Sequence, residues 1–139
     1  MILLDTNVVS ELMRTAGEQC VLDWLDQQPA PSVWITSVTL MEIRYGLDSM
    51  PKGRKREEIT ESFELFLNTA IEDRVAAFDG EAARHAASLI ALRKNRGRPG
   101  ELKDTMIAGI ALATRATLAT RNTAHFADLS VLVVNPWNA

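Results

Sequence analysis

The chain of 139 residues contains one cysteine, Cys20, and two histidines, His85 and His125. A lone thiol forms no intrachain disulfide, and neither histidine has a His or Cys partner at ligand spacing. Disulfide scaffolds, thiol redox pairs and thiol-built zinc clusters are therefore excluded and other zinc sites disfavoured, and Cys20 is expected to be a small buried apolar residue. Long hydrophobic runs are also missing: the opening apolar stretch stops at Asp5, so neither a signal peptide nor a membrane span is read and a cytoplasmic protein is expected. There is no basic excess. The net charge of -3 argues against a protein that coats nucleic acid by bulk electrostatics and leaves a polyanion only a local site. Aromatic residues make up 6%, and Trp24, Trp34 and Trp137 lie in separate segments, which suits core or interface anchors better than a base-stacking platform. Proline and glycine are sparse. The linkers they mark, residues 28–32, 50–53 and 95–100, are too short to separate domains, so residues 1–139 are expected to form one domain, with 47% hydrophobic residues to fill its core.

Short apolar runs predict five strands, at residues 2–4, 33–36, 75–78, 117–120 and 131–134. Between them, helical spacing appears over 21–25, 38–47, 59–67, 81–94 and 102–113. Alternating strands and helices imply parallel pairing through right-handed crossovers, hence an α/β sandwich with a mostly parallel five-stranded sheet flanked by helices. In such sheets ligands bind beyond the carboxyl ends of the strands, so polar residues there are the first site candidates.

Three carboxylates occupy such positions. Asp5 directly follows the run Ile2-Leu3-Leu4, where it serves either as a site carboxylate or as the N-cap of a helix over residues 6–13. Glu42 shares a helix face with Val38, Tyr45 and Gly46. It is a costly acid to bury there, unless it closes a capping box with Thr39, although Thr36 or Ser37 makes the better cap. Asp104 either complements a helix dipole or faces inward, and its neighbours Ile107, Ala108 and Ala111 favour the inward reading. Three inward acids repel one another unless a divalent cation lies among them. Oxygen ligation selects Mg²⁺ or Mn²⁺, and the chemistry suggested is metal-assisted phosphodiester hydrolysis.

The string Ile2-Leu3-Leu4-Asp5-Thr6-Asn7 resembles the opening of PIN-domain nucleases. Glu42-Ile43-Arg44-Tyr45-Gly46-Leu47 and Lys103-Asp104-Thr105-Met106-Ile107-Ala108 are similar to their second and third acidic motifs. Ala119-Thr120-Arg121-Asn122-Thr123-Ala124-His125-Phe126 and Val134-Asn135-Pro136-Trp137 resemble the closing motifs of the VapC-like toxin branch, so the similarity covers essentially the whole chain. The resemblance implies a PIN-like three-layer sandwich and an endoribonuclease toxin acting on structured RNA such as tRNA. It further implies a small antitoxin that blocks the active site, and a homodimer able to enter a higher hetero-oligomer with it. Asp5, Glu42 and Asp104 match the family's metal-binding acids. Many members carry a further acid after the fourth strand, where this chain has Asn122 and His125, so one firmly held ion is expected.

Around these acids, Thr6, Asn7 and Thr120 are candidate donors that orient carboxylates or waters, against the alternative of ordinary turn and cap residues. Basic residues from Arg93 through Arg96, Arg98 and Lys103, together with Arg121, are candidates for RNA phosphates, against the alternative of a solvated helix end. Two rival functions remain at this stage. A magnesium-dependent phosphatase would use Asp5 as nucleophile, but such enzymes place a second Asp two residues on, where this chain has Asn7. A non-catalytic RNA- or protein-binding module would keep the fold and lose the activity.

Overall fold

The computed structural model describes residues 1–139. Strand β1 (Ile2–Leu4) leads into helix α1 (Thr6–Leu12) and then α2 (Gln19–Asp26). Strand β2 (Val33–Thr36) is followed by α3 (Ser37–Ser49) and α4 (Arg54–Leu65), and β3 (Val75–Ala76) by α5 (Gly80–Asn95) and α6 (Leu102–Thr114). Strands β4 (Thr117–Ala119) and β5 (Val133–Val134) complete the sheet, in the order β3-β2-β1-β4-β5 with every pair parallel.

The three layers follow from the alternation of side chains along a strand. Leu4, Val33, Ile35 and Ala119 point into one core, closed by Val8 and Val9 of α1, Trp24 of α2, Ile43 and Leu47 of α3 and Phe63 of α4. Leu3 and Leu118 point the other way, onto Ala82 and Leu89 of α5 and Ile107 and Ile110 of α6. Helices thus cover both faces, as buried parallel strands require. Gly109 lets the second layer close tightly, because a Cβ there would stand 2.5 Å from the Ala82 carbonyl oxygen.

The outer strands are shorter than their apolar runs. After Ala76 the chain leaves the sheet: the Phe78 amide donates to Ser37 Oγ and Asp79 caps α5. Helix α4 runs on into a π turn, Phe66–Ala70, which no periodicity announced. Cys20 is exposed, against expectation, since α2 turns Val21 and Trp24 inward and Cys20 lies off that face. Around Glu42 the expected apolar face is also corrected: Tyr45 is 70% exposed and Gly46 is exposed, while Glu42 itself is half-buried.

Candidate active site

Strand order reverses at β1, whose neighbours are β2 on one side and β4 on the other. The register pairs Leu4 with Ala119, so the next residues, Asp5 and Thr120, emerge side by side at the carboxyl ends of the two strands. Both are buried. Thr120 Oγ1 donates to Asp5 Oδ2 at 2.7 Å, and Asn7 Nδ2 approaches the same oxygen at 3.3 Å. The Thr6 amide donates to Asp5 Oδ1 at 2.8 Å. Asp5 therefore caps α1 at the carboxyl end of β1, beside the point where strand order reverses.

Glu42 comes from α3, which Thr36 caps by accepting from the Thr39 amide, so the capping box that would have occupied Glu42 does not form. Thr6 Oγ1 donates to Glu42 Oε1 at 2.9 Å. A hydroxyl has one proton, so Thr39 Oγ1 must be the donor in its 3.0 Å contact with Thr6 Oγ1. The chain Thr39, Thr6, Glu42 is a link that the sequence reading missed; its signal was a threonine one helical turn before the acid. Asp104 lies in the first turn of α6 with its side chain 20% exposed. A carboxylate oxygen only accepts, so His125 Nδ1 is the donor in its 3.0 Å contact with Asp104 Oδ2.

Burial pushes the Asp5 carboxyl above the usual aspartate range; the bonds from Thr120 and Thr6 pull it back, and the charges of Asp104 and Glu42 raise it again. Asp104 and Glu42 thus lie near enough for their charges to be felt at Asp5. Neither Asp5 nor Glu42 belongs to any of the fold's ion pairs, and Asp104 meets only His125. No three Asp, Glu, His or Cys side chains close into a ready-made cage, so the arrangement is an open one. A buried carboxylate with no cationic partner, flanked by two more and by hydroxyl donors, is a donor set that fits a hard, oxygen-preferring cation.

Beside Asp104 opens a cleft of about 690 Å³ whose walls include His125, Arg96, Arg98 and Glu101. Lys103 is exposed and lies off this cleft. Arg121 lies off it too: its amide donates to Asn7 Oδ1 at 3.2 Å, and its guanidinium stacks 4.9 Å from the Trp137 ring centre. Arg93, which also belongs to the basic run, is buried and bound to Asp128. The side chain of Asn122 makes no hydrogen bond to the acids; only its amide donates, to Thr120 Oγ1 at 3.0 Å. Lys52 and Lys55 lie in an exposed cluster whose Arg54 and Arg56 pair with Glu58 and Asp48.

A parallel α/β sandwich whose strand order reverses beside the buried Asp5, with an arginine-walled cleft next to Asp104, is an architecture suited to a nuclease. Residues 2–132 match the PIN domain family, and the chain belongs to it, in the branch of VapC-type ribonuclease toxins of toxin-antitoxin pairs. It is 39% identical to the plasmid stability protein StbB of Pseudomonas syringae pv. tomato over the full length of both. It is 36% identical to VapC ribonuclease Y4jK of Sinorhizobium fredii, covering 99% of this chain and 98% of that one. The crystal structure of FitAcB from Neisseria gonorrhoeae superposes with a TM-score of 0.91, at 33% identity over 100% of both chains.

Proposed function

We propose that residues 1–139 act as one PIN nuclease domain, a Mg²⁺- or Mn²⁺-dependent endoribonuclease that is the toxin of a toxin-antitoxin pair and works in the cytoplasm on structured RNA. The observation that carries this reading is Asp5: a buried carboxylate without a cation, at the switch point of the sheet, raised chiefly by its burial and further by the charges of Asp104 and Glu42. Asp5, Glu42 and Asp104 would hold the ion. When bound, it supplies activation of a water and stabilisation of charge on the phosphodiester and the leaving oxygen.

The chain's own groups set the stage for that chemistry. Thr120 and Asn7 fix one oxygen of Asp5 and the Thr6 amide fixes the other, while the Thr6 hydroxyl orients Glu42 and His125 steadies Asp104. Arg96 and Arg98, on the cleft wall next to Asp104, would take RNA phosphates. A small antitoxin protein is the proposed inhibitor, and a homodimer the proposed assembly, as the family branch implies. For a phosphatase, Asp5 would need to be free to attack, whereas three donors already hold it.

The test is cleavage of labelled structured RNA by the partner-free protein and by Asp5→Asn, with Mg²⁺ or Mn²⁺ and with chelator. Cleavage that requires both the metal and Asp5 is expected. A well-folded protein that cuts no RNA across a broad panel would overturn the reading in favour of a binding module.

A further inference from the structure

Arg93 belongs by sequence to the basic run that precedes Asp104 and, with Asp128, borders the same cleft, yet the residue is only 5% exposed because its guanidinium is taken up by bonds within the fold. Four of its five N–H donors are engaged. Nε and Nη2 grip Asp128 Oδ2 and Oδ1, each at 2.9 Å. Nη2 also donates to the His125 carbonyl at 2.9 Å, and Nη1 donates to Thr105 Oγ1 at 3.1 Å. Thr105 in turn gives its single proton to the Glu101 carbonyl at 2.9 Å, so it accepts from Arg93 without competition.

These bonds join three segments: the end of α5, the first turn of α6, and the stretch 123–128. Asp104 stands on the second, one residue before Thr105, and His125 on the third. The His125 ring cannot hold itself in place, because its side chain is 55% exposed. What anchors it is its own carbonyl, bound by Arg93, and the buried neighbour Phe126. Gly100 permits the arrangement: its φ is +71°, and a Cβ there would stand 3.2 Å from Arg93 Nη1.

We propose that Arg93 and Asp128 are positioning residues for the nuclease site, clamping the His125 segment against α6 so that the imidazole fixes the Asp104 carboxylate. Arg93 is then not an RNA ligand, unlike Arg96 and Arg98 in the same run. Bidentate geometry suits the task, since a planar fork restricts both partners where a lysine would leave them free to turn. The inference rests on the metal-holding role proposed for Asp104.

The experiment measures Mn²⁺ affinity by electron paramagnetic resonance, kcat and KM for RNA cleavage, and Tm, in the unsubstituted protein and in Arg93→Lys, Asp128→Asn, His125→Leu and His125→Asn. Asp128, at the edge of the network with a side chain 27% exposed, tolerates change better than Arg93 and carries the test should Arg93→Lys fail to fold. Asp128→Asn and His125→Leu are expected to melt cooperatively yet lose about tenfold or more in Mn²⁺ affinity and in kcat, the usual effect of removing a partner of a ligand, with KM unchanged. His125→Asn, which keeps a donor at the Nδ1 position, restores most of both. A folded Asp128→Asn with unaltered Mn²⁺ affinity and kcat, or a loss confined to KM, overturns the clamp. An unsubstituted protein that binds no Mn²⁺ overturns the metal reading itself, and the clamp with it.

Discussion

The Thr6 hydroxyl gives its only proton to Glu42 Oε1 at 2.9 Å and takes one from Thr39, tying the first residue of α1 to α3. Replacing Thr6 by the near-isosteric valine removes both bonds and leaves Glu42 without its donor. We expect Thr6→Val to lower kcat about tenfold with little change in KM, the pattern of a lost orienting contact, and to cost about 1 kcal/mol of stability. Thr6→Ser should recover both; a serine variant as impaired as the valine one would assign the effect to packing instead.

Divalent cations should stabilise the fold through the same acids. At a Mn²⁺ concentration a hundred times its Kd, mass action adds about 2.7 kcal/mol, visible as a rise in Tm by calorimetry. Asp5→Asn should show almost none of this rise. An equal rise in both proteins would place the binding elsewhere.

The raised pKa of Asp5 makes both stability and metal affinity depend on pH. A group whose folded pKa lies above its unfolded value contributes stability that is complete below the unfolded value and is lost as pH rises through the folded one. The Tm of the metal-free protein, relative to that of Asp5→Asn, should therefore fall as pH climbs from the ordinary aspartate range through the raised value. Protection by Mn²⁺ should grow over the same window, because only the ionised carboxylate ligates. A Tm difference that stays flat with pH contradicts the burial argument.

Arg96 and Arg98 line the cleft beside Asp104 without entering its hydrogen bonds. Removing each charge should raise KM for RNA and reduce the slope of log affinity against log salt by about one, with kcat held. Lys103→Ala, off the cleft, should change neither quantity. Binding titrations at three salt concentrations decide between these outcomes.

Gly109 is the tightest point between α5 and α6, with no room for a Cβ against the Ala82 carbonyl. Gly109→Ala gains helix propensity but must push α5 away. We expect a net loss of about 1–3 kcal/mol, the usual cost of overpacking, measurable by urea denaturation. A stabilised variant would mean that the two helices separate with ease.

The central strands were readable because β1 and β2 are buried on both faces and carry unbroken apolar runs that end in polar residues. Their bounds agree with the structure. The edges were less legible: residues 77–78 are as apolar as a strand, but a cap at Asp79 and a bond to Ser37 draw the backbone away. The acids were singled out by the contrast between charge and an apolar setting, and that setting is present at Asp5, which is buried, and beside Asp104, where Ile107, Ala108 and Ala111 are buried. For Glu42 the setting is half open, since Tyr45 and Gly46 of its supposed apolar face are exposed. The basic run could not be divided by composition. Arg93, Arg96 and Arg98 are chemically alike, and only the tertiary position of Asp128, thirty-five residues on, decides which of them is committed to the fold.

The bond between Thr120 and Asp5 spans 115 positions of the chain, and β1 must wait for β4 before its second edge is paired. A ribosome that has translated β1, α1 and even α3 holds a polypeptide with Asp5 and Glu42 but without Asp104 or Thr120. Long-range pairing of this kind assembles late. Until Thr120 has been made and β4 has paired, Asp5 lacks the hydroxyl that holds its Oδ2, so the geometry around this carboxylate forms only once the two distant segments meet.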